Sequence, residues 1–141
     1  MQQAHHDART ISVFIAEDHP AVRERIVALL NGAGHFEVVG EAGSPGEAIE
    51  GILRTRPDAV VLDIHLLGGT GLEVLKSIHP RRPGVRFVVL TNHPIAQYRK
   101  AFMAAGADCV LDKSTDFLTL PQTLQAAAQQ PDQAHLRCAN I

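Results

Sequence analysis

Four short apolar runs, each ending on a reactive polar residue, constrain this chain more than any other feature. The run from Ile11 to Ala16 ends in Glu17-Asp18, and Ala59 to Leu62 ends in Asp63. Val85 to Leu90 ends in Thr91, and Cys109 to Asp112 ends in Lys113. Each run is too short for an ordinary helix, rich in β-branched residues, and followed by a helix-like segment. Strands buried on both faces of a parallel sheet read this way. Ligands of open parallel sheets bind outside the carboxyl ends of the strands. The acids, the hydroxyl and the ammonium are therefore expected to meet at one edge of one sheet.

The intervening punctuation supports five β-α units. His19-Pro20 opens a helix to about Leu30, with proline suited to its first turn, and Asn31-Gly32 and Gly34 stop it. Phe36 to Gly40 reads as a short strand. Ser44-Pro45-Gly46-Glu47 and Thr70-Gly71-Leu72-Glu73 are capping boxes that open the second helix, to about Arg56, and the third. Leu66-Leu67-Gly68-Gly69 reads as a glycine loop. Pro80 and Pro83-Gly84 end the third helix, His93-Pro94 starts a fourth that Gly106 closes, and a last helix lies between Asp116 and Gln130. The expected fold is a doubly wound α/β domain with a five-stranded parallel sheet and five helices. Residues 1–9 read as a disordered leader, 10–130 as the domain and 131–141 as a flexible tail.

Charge and composition remove several function classes. The 141 residues carry 13 basic and 15 acidic side chains, so the basic field of a nucleic-acid binder is missing and no nucleic-acid partner is expected. Arg81, Arg82 and Arg86 around one turn read as solvated loop charge. No apolar stretch is long enough to span a bilayer, and the polar first ten residues lack the apolar region of a signal peptide. The expectation is a cytoplasmic protein without membrane attachment. Cys109 in a buried strand and Cys138 in a polar tail are not expected to form a disulfide.

Glu17, Asp18 and Asp63 would place three carboxylates on neighbouring strand ends. Like charges that close raise one another's pKa unless a cation sits between them. Oxygen ligands with room for water suit Mg²⁺ better than zinc. A carboxylate held against Mg²⁺ can attack a phosphoryl group and form an aspartyl phosphate. Positioning and cationic neutralisation dominate that chemistry, and the Lys113 ammonium would supply a second positive centre. The Thr91 hydroxyl could donate a hydrogen bond to the bound group. Singly, each residue is equally a helix cap, a turn former or a solvated charge; the ordered set is what points to a site.

That ordered set resembles the receiver domain of two-component response regulators, a flavodoxin-like fold shared with the chemotaxis regulator. The resemblance rests on Glu17-Asp18, on Asp63-Ile64-His65-Leu66 followed by Gly68-Gly69-Thr70-Gly71, on Thr91 and on Lys113. It implies strand order 2-1-3-4-5. It also implies Asp63 as phospho-acceptor, Glu17, Asp18 and Asp63 as Mg²⁺ ligands joined by the His65 backbone carbonyl, Thr91 as switch hydroxyl and Lys113 as phosphate-binding lysine. The implied phosphodonor is a histidine kinase or a histidine phosphotransfer protein, and output would be contact with an unidentified effector protein. A homodimer stays open. A stand-alone receiver that catalyses only its own phosphorylation and slow dephosphorylation is the leading reading.

The chain departs from the family pattern at three points. Ser114 replaces the proline after the lysine, so a trans bond is expected there. Val110 stands where the family has a switching aromatic, and Leu67 replaces the proline after the phospho-acceptor. His65 and His93, two residues after Asp63 and Thr91, are candidates for tuning phosphate lifetime. Three other readings stay open: a constitutive, phosphorylation-independent interaction module, the receiver part of a DNA-binding regulator, and a metal-dependent phosphohydrolase. The last of these generally wants a second acid where His65 stands.

Overall fold

The computed structural model describes residues 9–92 and 96–129. Five strands form one parallel sheet: β1 (Ile11–Ala16), β2 (Phe36–Ala42), β3 (Ala59–Leu62), β4 (Arg86–Thr91) and β5 (Cys109–Asp112). Their order is β2-β1-β3-β4-β5, and every neighbouring pair is parallel. Five helices join them: α1 (Pro20–Ala33), α2 (Pro45–Thr55), α3 (Gly71–Ile78), α4 (Ala96–Ala104) and α5 (Leu120–Gln129). The chain has the flavodoxin-like architecture.

Side-chain alternation divides the core into two layers. Phe14, Ala16, Val60, Leu62, Phe87, Val89 and Val110 face one side and pack with Ile52 of α2, Val74 and Leu75 of α3 and Phe102 of α4. Val13, Ile15, Val61, Val88, Leu90 and Leu111 face the other, against Ile26 and Leu30 of α1 and Leu120 and Leu124 of α5. Coverage of both faces explains why β3, with all four residues buried, reads as an unbroken apolar run.

Phe14 sets the spacing of the first layer. Its ring lies so close to Gly40 and Gly51 that a Cβ at either glycine would come within 2.7 and 2.6 Å of it. The β1–β2 register slips between Val13, opposite Val38, and Phe14, opposite Gly40, which brings that glycine under the ring.

At the amino edge of the sheet, Asp58 Oδ2 accepts from the amide and hydroxyl of Ser12 at 2.9 and 3.2 Å. Asp108 Oδ2 accepts from the Phe87 amide at 2.9 Å. These clamps fix the strand register that delivers functional groups to the opposite edge.

Helix boundaries follow local chemistry. Ser44 and Thr70 accept from the Glu47 and Glu73 amides at 3.5 and 3.4 Å, as the two sequence boxes predict. α1 runs through Asn31-Gly32 and stops only at Gly34, which takes the left-handed conformation at φ 94°. β2 likewise extends past Gly40 to Ala42. The segment read as a glycine loop carries a two-residue antiparallel ladder, with His65 opposite Thr70 and Leu66 opposite Gly69. Gly68 supplies its positive φ of 83°. The expected leader apart from Arg9, the expected tail with Cys138, and His93-Pro94 fall on residues outside those described.

Candidate functional site

The carboxyl edge of the sheet brings Glu17, Asp18, Asp63, Thr91 and Lys113 onto adjacent strands. Glu17 and Asp18 leave the end of β1, and the Glu17 amide donates to the Ala42 carbonyl of β2 at 2.9 Å. Asp63 follows β3 directly, its amide donating to the Ala16 carbonyl at 3.0 Å. Thr91 is the last residue of β4 and is buried. Its carbonyl accepts from the Lys113 amide at 2.8 Å, tying the ends of β4 and β5 together.

Lys113 is the centre of the cluster. Its Nζ lies 2.8 Å from Glu17 Oε1 and 3.1 Å from Asp63 Oδ2. The three side chains are 10%, 2% and 9% exposed respectively, so these ion pairs are desolvated. Asp63 Oδ1 accepts from the Ile64 amide at 2.7 Å. Burial, and then the charge of Glu17, push the Asp63 carboxyl above its ordinary value, with Lys113 opposing them. Burial also acts to raise Glu17, but the hydrogen bond and charge of Lys113 and the contacts of His19 outweigh it and hold Glu17 low. Burial disfavours the charged Lys113, yet the two carboxylates raise it above its ordinary value. The ammonium is thus held charged, and of the two buried acids Asp63 is the one kept closest to neutrality.

A second set of contacts orders the acidic pair. His19 Nδ1 lies 3.2 Å from Glu17 Oε2 and 3.0 Å from Asp18 Oδ1. The approach to Asp18 is outside hydrogen-bonding geometry, and Asp18 Oδ1 is a buried oxygen that accepts no hydrogen bond. Arg23, one turn into α1, donates from Nη1 to the Glu17 carbonyl at 2.6 Å and pairs through Nε with Glu41 at 3.4 Å. Sequence reasoning passed over Arg23. Its signal is a basic residue one turn beyond the helix start that follows an acidic pair.

The donor chemistry fits Mg²⁺. Three carboxylates against one ammonium leave a net charge of −2 with the imidazole neutral, and the buried Asp18 Oδ1 accepts no hydrogen bond. Ligand atoms of Glu17, Asp18 and His19 lie within 4.8 Å of one another.

The loop after Asp63 is held on both sides. The Leu67 amide donates to the Gly43 carbonyl at 2.9 Å, and the Gly71 amide to the Ile64 carbonyl at 2.7 Å. Gly71 is required where it stands, because a Cβ there would collide with the Asp63 carbonyl oxygen. Leu67 itself is 72% exposed. His65 is exposed, and its ring meets Tyr98 of α4 edge to face, with centroids 6.1 Å apart. His93, the other histidine singled out by sequence, lies outside the described residues.

The Lys113–Ser114 bond is trans, as expected. In place of a proline, Asp112 Oδ1 accepts from the Ser114 amide at 2.7 Å and Asp116 Oδ2 from the Asp112 amide at 3.0 Å. Side-chain turns of this kind hold the loop without ring rigidity. Val110 is fully packed in the core, and its carbonyl accepts from Arg99 Nη2 at 3.2 Å. No helix among the described residues is long and apolar enough to cross a membrane. A cavity of about 480 Å³ opens at the opposite edge, between Arg9, His35, Asp58 and Gln125, well away from the acids.

Known proteins resemble this chain in sequence and fold. The chain is 33% identical over 115 residues to the DNA-binding transcriptional activator DevR/DosR of Mycobacterium tuberculosis, a match covering 82% of this chain and 53% of that protein. It is 34% identical over 125 residues to the nitrate/nitrite response regulator protein NarP of Escherichia coli, covering 87% and 57%. The chain therefore spans about half the length of these curated relatives. Among solved structures, a LuxR-family two-component response regulator from Aurantimonas sp. SI85-9A1 superposes with a TM-score of 0.81 at 31% identity, covering 93% of this chain and 96% of that one. The response regulator receiver domain family matches residues 13–125. By sequence, by strand order and by the groups gathered at its carboxyl edge, the chain belongs to the response regulator receiver domain family.

Proposed function

We propose that this chain is a phosphorylation-controlled switch in which Asp63 accepts a phosphoryl group from a histidine kinase or a histidine phosphotransfer protein. The observation that carries this reading is the Lys113 ammonium, buried and within 3.1 Å of Asp63 Oδ2 while also pairing Glu17. In the transfer, a carboxylate oxygen of Asp63 bonds to phosphorus as the bond to the donor imidazole breaks, and the imidazole leaves. Lys113 neutralises charge on the phosphoryl oxygens, and the Thr91 hydroxyl donates a hydrogen bond to the bound group. Glu17, Asp18 and Asp63, with the His65 carbonyl, would hold Mg²⁺. When bound, the ion offsets negative charge between the acids and the incoming phosphoryl group.

The test is incubation with Mg²⁺ and acetyl phosphate followed by mass measurement, with Asp63→Asn alongside. One added phosphoryl group, absent from the variant and from a sample in EDTA, is expected. A stable beryllofluoride complex without a detectable adduct would mean a short lifetime. Neither adduct nor complex would refute the switch and favour a constitutive interaction module, in which partner binding is unchanged by Asp63→Asn.

The output is proposed to be a macromolecular contact made in the cytoplasm, with an effector protein as the first candidate. A second reading is favoured by the names and lengths of the relatives, which include a DNA-binding transcriptional activator about half covered by this chain. In a longer protein of that kind the same switch would act on an attached DNA-binding part. Loss of DNA mobility at physiological salt, in the longest natural form of the protein, distinguishes the two.

A further inference from the structure

Arg23 joins three elements at the carboxyl edge from the first turn of α1. Its amide donates to the His19 carbonyl at 3.0 Å, the first bond of that helix, so its backbone is fixed. Its Nη1 donates to the Glu17 carbonyl at 2.6 Å, a short charge-assisted bond, and its Nε pairs with Glu41 on β2 at 3.4 Å. A Cβ at Gly43 would lie 3.3 Å from Arg23 Nη1 and 3.4 Å from Asp18 Cα, so that glycine lets guanidinium and acidic pair lie side by side. The Gly43 carbonyl in turn accepts from the Leu67 amide of the loop after Asp63 at 2.9 Å. Glu17 is thus held at both of its peptide links, its amide on the Ala42 carbonyl at 2.9 Å and its carbonyl on Arg23. That carbonyl and Asp18 Cα share one planar unit, so fixing the oxygen fixes the plane from which the Asp18 side chain leaves. Asp18 gets no such help through Oδ1, which is buried and accepts no hydrogen bond. Its aim rests on its backbone.

We propose that Arg23 is a positioning residue for the acidic pair: by clamping the Glu17 carbonyl it aims the Asp18 carboxylate and so sets the affinity of the site for a divalent cation. The inference rests on the Mg²⁺ assignment above. Two opposing effects fix the sign of the test. A guanidinium beside an acidic site repels an incoming cation, so removing its charge alone would tighten binding. Releasing the Glu17–Asp18 peptide plane weakens binding, because the ligand must be ordered when the ion arrives. The short bond to the carbonyl favours the second effect, since the Arg23 charge is already shared with Glu41. Glu41 acts one step further out, aiming the guanidinium from β2.

The test is calorimetric titration of the whole chain with MgCl₂, for the wild type, Arg23→Met, Arg23→Lys and Ile26→Val. Each protein is titrated well below its own unfolding temperature. Arg23→Met should raise the Mg²⁺ Kd about 10-fold, the low end for a lost outer-shell partner, because Arg23 holds the ligand's backbone and not its carboxylate. Arg23→Lys keeps the charge and one donor but loses the fork, so its Kd should fall between the wild type and Arg23→Met. Ile26→Val loosens the buried face of the same helix without touching the acids, and should leave the Kd unchanged. An unchanged Kd in Arg23→Met, even with a clear loss of stability, would make the clamp purely structural and overturn the inference. A tighter Kd would overturn it too, as the mark of relieved repulsion alone. An equal rise in Ile26→Val would do the same, since any loosening of α1 would then suffice. In all three cases Mg²⁺ binding by the wild type leaves the metal assignment standing. A wild type that takes up no Mg²⁺ overturns that assignment and this inference with it.

Discussion

Replacing Lys113 with methionine removes the positive charge that lies between two buried carboxylates, and the structure sets the size of the effect. Glu17 Oε1 and Asp63 Oδ2 lie 2.8 and 3.1 Å from the ammonium, with side chains 2% and 9% exposed. Removing one partner of a buried pair costs about 3–5 kcal/mol. The site has an escape, because protonating one carboxylate relieves the repulsion. From the ordinary Glu17 value of 4.5, that protonation costs about 3.4 kcal/mol at pH 7, at 1.36 kcal/mol per unit. At pH 5 the same step costs only about 0.7 kcal/mol. Lys113→Met is therefore expected to lose about 3 kcal/mol at pH 7 and about 1 kcal/mol at pH 5. Urea unfolding of both proteins in EDTA at the two pH values measures this. A loss below about 1 kcal/mol at pH 7, or an equal loss at both, would refute the claim that the ammonium is buried between two ionised acids. Added Mg²⁺ should stabilise the variant more than the wild type, since the cluster then lacks its internal cation.

The remaining predictions concern neighbouring groups. Asp63 is held above its ordinary value of 3.8, so native stability falls as pH rises above 3.8 through the native value. Asp63→Asn removes that loss and should leave urea stability at pH 7 equal to or higher than wild type, while abolishing stabilisation by Mg²⁺; a clear loss of stability would contradict it. Lys113 is raised above 10.5, so its contribution is complete below 10.5 and lost as pH rises through the native value. Glu17 is depressed, so its contribution is complete above 4.5 and lost as pH falls through the native value. Thermal unfolding across pH should show both shoulders, and Lys113→Met should lack the alkaline one; an identical alkaline limb in that variant would count against the assignment. Gly71→Ala should cost about 1–3 kcal/mol in urea unfolding, because its Cβ would meet the Asp63 carbonyl and, at 3.0 Å, Leu62 Cγ. A neutral result would mean the loop after Asp63 shifts freely.

What the sequence made legible is what short-range physics determines. β3 and β5 read correctly because a doubly covered strand must be apolar throughout and the chain must leave it on a polar residue. The convergence of Asp63, Thr91 and Lys113 then follows from parallel topology alone. Boundaries read less well where tertiary burial overrides a local breaker. Gly32 costs α1 about 1 kcal/mol relative to alanine, but burial of Leu30 and packing of Ala33 carry the helix on to Gly34. Contacts between side chains distant in sequence were not legible. Nothing local says that Lys113 bridges Glu17 and Asp63, since a lysine at a strand end reads equally as solvated. Nor does the missing proline at Ser114 disclose its substitute, because Asp112 and Asp116 become turn acceptors only once β5 has placed them. The same holds for Val110. Its lack of an aromatic ring is plain from the sequence, whereas the ring that meets the Asp63 loop comes from Tyr98 on another element. A motif therefore locates the reacting groups, and the fold decides which neighbours control them.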